Sequence, residues 1–560
     1  MKYDVCIVGS GAGAGPVAYE LSRAGYKVVV LEKGPWFKTE DLSKDEMVAT
    51  RRAVFTPRSV DECHVLEHGS KEKGWKAKST HVSGISFWNG NMVGGSSNLM
   101  SAYFHRMKPQ DFKLKSTYGK IEGGNVEDWP ISYEELEPYY DKVEKVIGVS
   151  GKVTKHRFLE PRSTPDFPYP PLEENIVANW IDAAANKLNI ETFPTPRGIL
   201  SLRKDKRSSC FYSNYCGSYG CNSDAKGSAR VALLNDAIET GNCIILPNSK
   251  VFLLEEQNDE IKKVHYYNLK GEKEFVEAKI TVVAAQAIES ARLLLMSQSK
   301  RFPKGLANNN GQVGKNLVFS AGGTGSGMID YEQLSEGDAK EFKKTGLWVN
   351  RAVQEWYEIE GEPFSKKVKG GTVDFVFEHA NGITKAFKQK YDVNRDLVFG
   401  SELKTKMVKH FTKRRRLNFE VFIDWTPNDD CFVSLDSKEK DKWGDAVAKV
   451  RLGYNKYDLK VGKYITGKTE SILKEMGAYD VKSGVSGNPP SNLQAGGCRF
   501  GNDPKTSVLD RDCKAHEVAN LYVTDGSFMP TGGSTTFTFT IYANSFRVAD
   551  KIKERLDNER

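Results

Sequence analysis

Hydrophobic positions are dense at the start of the chain. Residues 3–10 (YDVCIVGS) are mostly apolar, the pattern of a strand buried on both faces. GSGAGAGPVAYELSRAG follows as a glycine turn running into a helix with Ala, Leu and Ala on one face, and YKVVVLEKG predicts a second strand ending in an acid. The period is lost over 36–80, and 84–106 (GISFWNGNMVGGSSNLMSAYFHR) is rich in Gly, Asn and Ser, as expected of a loop wrapping something at close range. A helical period returns in YEELEPYYDKVEKVIGV (133–149), ahead of a proline-rich surface strap, FLEPRSTPDFPYPPLEE (158–174). Alternating positions over 244–283 predict strands with turns between them, and IESARLLLMS predicts a helix.

From about 325 to 490 the pattern changes to short alternating runs rich in aromatic and β-branched residues (GGTVDFVFEHA, LNFEVFIDW, CFVSLDS), which predict an antiparallel sheet. After 490 come glycine-rich turns, an apolar strand (NLYVTDGS) and a helix (TIYANSFRVADKIKERL), so the chain returns to its first domain. The expected fold class is α/β: a Rossmann-like dinucleotide-binding domain over 1–324 and 491–560, interleaved with an α+β substrate domain over 325–490. The first part carries excursions at 36–80 and 150–200 and a cysteine-bearing segment at 205–230.

Length and charge narrow the function classes. A chain of 560 residues, 39% hydrophobic, is long enough for two or three domains with substantial cores. Its net charge of +8 is modest and interspersed, so no nucleic-acid partner is expected. The exception is KTKMVKHFTKRRRLNF (404–419), either a solvated face or a peripheral docking site for anionic lipid or an acidic partner. No run approaches the roughly 20 apolar residues of a membrane span. MKYDVCIVGSGAG has no charged leader or cleavage site, so a cytoplasmic or membrane-peripheral protein is expected, exported only with a partner.

Gly9, Gly11 and Ala14 fill the G-x-G-x-x-G/A turn between strand and helix, with Gly13 inside it and Glu32 at the end of the second strand. Glycines let the backbone approach a pyrophosphate at the helix N-terminus, and the acid accepts hydrogen bonds from a ribose. The pattern predicts an ADP-containing cofactor without separating NAD from FAD. Three of the nine cysteines fall within CFYSNYCGSYGC, at Cys210, Cys216 and Cys221. Irregular spacing and an odd count argue against a disulfide framework. A metal or iron–sulfur site, a structural zinc completed by a distant histidine, or buried free thiols remain as readings.

WNGNMVGGSSN (88–98), VVAAQAIESARLLL (282–295) and the segment 520–552 together resemble the glucose–methanol–choline (GMC) oxidoreductases, FAD enzymes that oxidise alcohols. GGCRFGNDPKTSVLD (496–510) resembles the gluconate and glucose dehydrogenase branch, whose members pass electrons onward to a partner acceptor such as a cytochrome or a further subunit. The resemblance implies that Gly94, Gly95, Ser96 and Asn98 lie along the FAD, that Asp525 and Gly526 hold its pyrophosphate or ribityl chain, and that Val251 clamps the adenine. It also implies that Cys210, Cys216 and Cys221, ahead of DAKGS, ligate an iron–sulfur cluster. Ser213 stands where a related pattern has a further cysteine, which favours the three-iron type.

The family's catalytic histidine pair is missing. Alignment on the motifs places Leu493 at the first position, between Asn492 and Gln494, and Thr536 at the second. None of these is a useful proton acceptor. His379, His410 and Tyr542 are the candidate substitutes. The expected activity is oxidation of a CH–OH group of a sugar, sugar acid or polyol. The alternatives are a flavin-dependent reductase or desaturase acting on a non-alcohol substrate, or an electron-relay subunit without this catalysis.

Overall fold

A computed structural model of the chain describes residues 2–44, 46–47, 54–83, 87, 90–344, 346, 348–392, 394–488 and 493–559. β1 (Lys2–Val8) lies parallel to β2 (Val28–Leu31), and β3 (Cys243–Leu246) continues the sheet beyond β2 in the same direction. On the other side β4 (Lys250–Gln257), β5 (Glu260–Tyr267) and β6 (Lys273–Val283) form an antiparallel run. The C-terminal half of β6 is flanked in parallel by β1 and by Leu521–Val523. Val5, Cys6, Ile7, Ile280 and Val282 have no exposed surface. That burial explains the unbroken apolar runs of the sequence, because layers cover both faces of a central parallel strand. α1 (Gly15–Arg23) carries Pro16 in its first turn, where the fixed φ suits a helix start, and buries Val17, Ala18 and Leu21.

α2 (Ala287–Met296) follows β6 and leads to a second sheet of β7 (Val318–Ala321), β8 (Gly323–Asp330), β9 (Trp348–Val353), β10 (Gly371–Phe377), β11 (Arg414–Asp424) and β12 (Tyr479–Val485). Its order is β9–β10–β11–β8–β12, antiparallel throughout, with β7 paired to the end of β11. Between β10 and β11 lie α3 (Gly382–Gln389) and α4 (Gly400–Val408). α5 (Lys456–Glu475) covers one face of the sheet with Val461, Ile465, Ile472 and Leu473. The C-terminal helix α6 (Thr538–Asn558) packs on α1.

The second sheet begins at Val318, ahead of the boundary read from the sequence at 325. The segment 325–490 does not make one sheet. Cys431–Lys440 and Ala446–Leu452 leave it and join Val65–Ser70 and Gly74–Ser79, so the excursion at 36–80 contains a hairpin. Charge pairing explains the union: Glu67 accepts Lys449 and Arg451, each at 2.8 Å, while Val65, Leu66, Val433 and Val450 are buried.

Candidate functional site

A cavity of about 1600 Å³ lies between the C-terminal ends of β1 and β6 and one face of the second sheet. The glycine turn forms its floor. Gly9 has φ +93°, and a Cβ there would stand 2.4 Å from the Ala284 carbonyl oxygen. Gly13 packs so closely that a Cβ would meet the Asp525 backbone at 2.7 Å. These two positions accept no side chain, which brings the turn, β6 and the returning C-terminal segment together. Gly9, Gly11, Gly13, Glu32, Gly95, Ser96, Val251, Asp525 and Gly526 all line the cavity.

Ala14, Gly94 and Asn98 do not. Ala14 is fully buried, and Gly94 donates its N–H to Ser10 Oγ at 2.9 Å. Asn98 Nδ2 donates to the carbonyls of Val93 and Gly95, at 2.9 and 3.0 Å. These residues shape the loop behind the wall. Asn492 lies outside the described residues, as do Trp88 and Asn89 of the quoted motif.

Glu32 is fixed at the adjoining end. Ser10 Oγ donates to its Oε2 at 2.6 Å and Gly34 N to its Oε1 at 2.8 Å. Burial raises its pKa. Burial likewise raises the pKa of Asp525, which accepts Ser527 N at 2.8 Å and the Ser290 hydroxyl. The sequence motif contained one further polar residue that was not singled out. Gln286, with φ +82°, caps α2 through its side chain, donates to Gln494 and lines the cavity.

At the far end the cavity is walled by Leu493, Gln494 and Thr536 together with Tyr103, Trp348, Glu420 and Phe422. Thr536 Oγ1 donates to the Tyr103 carbonyl at 2.5 Å, and Tyr103 Oη donates to Glu420 Oε2 at 2.9 Å. Glu420 sits on β11 opposite Asp374 of β10. Burial raises its pKa, and the neighbouring Asp374 adds to the rise, while the Tyr103 hydroxyl and the Arg197 guanidinium oppose it. Arg197 is fully buried, 4.0 Å from the ring centre of Tyr103 and 3.8 Å from that of Trp348. Asp374 is held by His105 Nε2 at 2.9 Å and Thr195 Oγ1 at 2.8 Å. The sequence held one signal for Glu420. In LNFEVF it lies on the polar side of an alternating strand, and the structure turns that side to the cavity.

The substitutes named from the sequence fare unequally. Tyr542 is fully buried and donates to the Gly227 carbonyl at 3.3 Å, behind the wall. His379 and His410 line the cavity, His379 with Nε2 donating to the Gly217 carbonyl at 2.5 Å. Burial lowers the His410 pKa, aided by Lys385, Arg414 and Arg416.

Cys210, Cys216 and Cys221 lie on one loop within electrostatic reach of each other, and Ser218 and Tyr219 of that loop line the cavity. Burial pushes Cys210 up to about 12, with Cys216 adding to the rise. Burial would also lift Cys221, but the Lys226 ammonium and hydrogen bonds from Ser223 and Lys226 hold it below the usual thiol value. Among the described residues no three His, Cys, Asp or Glu side chains converge as a metal-ligand set, these thiols included. Tyr212 N donates to Cys210 Sγ at 3.4 Å, and Cys221 Sγ contacts Ser223 Oγ at 3.5 Å.

Two family models described as GMC oxidoreductase match residues 173–320 and 427–545. The 2-methyl-1,2-propanediol dehydrogenase of Mycolicibacterium austroafricanum is 27% identical, over 99% of this chain and 96% of its own. The fructose dehydrogenase large subunit of Gluconobacter japonicus is 26% identical, over 99% and 98%. The solved structure of a pyridoxine 4-oxidase, given as from Mesorbium loti, superposes with a TM-score of 0.60 at 16% identity, covering 98% of this chain and 99% of that one. The glycine turn on β1, the parallel sheet around it and the cavity closed by the C-terminal segment agree with these likenesses: the chain belongs to the GMC oxidoreductase family and is an FAD-dependent oxidoreductase.

Proposed function

We propose that the protein oxidises a CH–OH group of a sugar, sugar acid or polyol, with Glu420 as the acceptor of the hydroxyl proton. The observation that carries this reading is the chain of contacts from Thr536 through Tyr103 to Glu420. It joins the family's second base position, here a threonine, to a carboxylate on the same cavity wall. FAD, when bound, supplies the acceptor for the hydride. The glycine turn, Glu32 and Asp525 would hold it, and the floor fits a pyrophosphate because the turn brings backbone rather than side chains to the N-terminus of α1. Gln494 and Gln286 offer amide groups that orient a substrate hydroxyl. Burial lifts the Glu420 pKa toward the range in which a carboxylate is an effective base.

Electrons would then leave to a partner acceptor. What supports this is the likeness to a relative named as a large subunit. Transfer through an iron–sulfur cluster is left out of this reading, since Cys210, Cys216 and Cys221 form no three-ligand group among the described residues. Anaerobic mixing with a panel of sugars, sugar acids and polyols tests the reading. Bleaching of the flavin absorbance by one of them is the expected result, and bleaching by none overturns it in favour of a non-alcohol substrate or a relay role. Iron and sulfide analysis of the same preparation decides whether a cluster is present.

A further inference from the structure

α3 and α4, between β10 and β11, contain no buried residue. That is unusual for helices carrying large apolar side chains, which ordinarily cover a core. Here they face outward: Ile383 and Phe387 of α3 are 52% and 59% exposed and Val408 of α4 47%, and beside the helices Leu397, Phe399 and Phe411 are 63%, 75% and 44% exposed. An apolar patch of this kind on a soluble surface marks an interaction site.

The surrounding charge identifies what it meets. Within residues 382–413 the cations are Lys385, Lys388, Lys390, Arg395, Lys404, Lys406, Lys409 and Lys413, against Asp392, Asp396 and Glu402. Lys385 and Lys413 are engaged by Glu378 and Glu332, at 3.4 and 2.6 Å. Lys388, Lys404 and Lys409 are exposed and have no ion-pair partner among the described residues. Apolar tips interleaved with lysines match a surface that is hydrocarbon at depth and anionic at its face. The patch is also anchored to the body, since Glu46 accepts the N–H groups of Ile383 and Thr384, at 3.0 and 2.9 Å. Phe387, Lys388, Tyr391, Lys406 and His410 belong to both the patch and the cavity wall, so the patch forms the rim of the active-site cavity.

We infer that α3, α4 and the exposed residues Leu397, Phe399 and Phe411 beside them dock the enzyme on an anionic lipid bilayer, with the cavity rim against the membrane face. The apolar side chains enter the headgroup boundary and the lysines pair with lipid phosphates. No helix among the described residues is long and apolar enough to cross a membrane. This inference does not depend on the substrate proposed above.

Co-sedimentation of the FAD-loaded protein with phosphatidylcholine vesicles, with and without phosphatidylglycerol, tests it. The expected result is pelleting with the anionic vesicles only, weakened by salt. Arg395→Gln with Lys404→Gln should weaken binding about twenty-fivefold, at roughly fivefold per surface charge. Leu397→Ser with Phe399→Ser should abolish it while leaving the melting temperature and flavin absorbance unchanged. Equal pelleting with neutral vesicles, no pelleting, or unchanged binding by well-folded variants would each overturn the inference. So would a concentration-dependent dimer lost in Leu397→Ser/Phe399→Ser, which would assign the patch to a second copy of the chain.

Discussion

A carboxylate that must take a proton from an alcohol works best when its own pKa lies near the working pH. Burial moves Glu420 in that direction and Asp374 adds to it, with Tyr103 and Arg197 limiting the rise. The direction fixes the pH behaviour. A base acts only when ionised, so activity should rise with pH through a limb displaced upward from the ordinary carboxylate value. Glu420→Gln keeps the shape and the Tyr103 contact but cannot accept a proton. It should lower kcat by about 10²- to 10⁴-fold with KM little changed, and the limb should disappear. Tyr103→Phe removes a hydrogen bond to the ionised form, so it should move the limb to higher pH while retaining activity. A pH–rate profile of the three proteins checks both outcomes. An unchanged limb in Glu420→Gln would return the role to His410 or His379, the other titratable groups on the wall named from the sequence.

Local elements show where burial overrides a helix terminus. Asp458 lies in the first turn of α5, where the helix dipole favours an ionised carboxylate. It also accepts Thr426 N at 2.8 Å and Thr426 Oγ1 at 2.6 Å, yet burial lifts its pKa from 3.8 to about 7. A raised carboxyl pKa means that the fold binds the proton more tightly than the unfolded chain. Its contribution to stability is full below 3.8 and is lost as pH rises through 7, a change of up to about 4 kcal/mol. Asp458→Asn cannot ionise. Its melting temperature should therefore gain on that of the wild type between pH 4 and pH 8, and calorimetry across that range measures the gain. Most elements were legible in the sequence because one period dominated each of them: the apolar run of β1, the alternation of β11, the helical stripe of α6. The pairing of Ala446–Leu452 with Val65–Glu67 was not legible, since contact between segments so distant in the chain leaves no local period. Glu420 was missed for a related reason. An alternating strand has a polar side, and nothing within LNFEVF distinguishes a side facing solvent from one facing a cavity.

At the scale of the whole molecule, the two ends of the chain are joined at one carbonyl. Gly13 O accepts Thr524 Oγ1 at 2.7 Å, from the end of Leu521–Val523, and Ser545 Oγ at 2.6 Å, from within α6. Thr524 and Ser545 are fully buried, so no water replaces a lost partner there. Removing one hydroxyl leaves the carbonyl with its other donor, at a cost of about 1 kcal/mol. Removing both orphans a buried acceptor, which costs about 1–3 kcal/mol beyond that, so the two losses should exceed their sum. The same turn forms the floor of the cavity, and its distance to Asp525 is set by these bonds. Thr524→Val with Ser545→Ala should therefore lower the melting temperature more than the two single variants combined and should also release FAD more readily on dilution. Strict additivity in the melting temperatures, with FAD retained, would show that the glycine turn keeps its place without the C-terminal segment and that the closing of the cavity owes nothing to the chain's return.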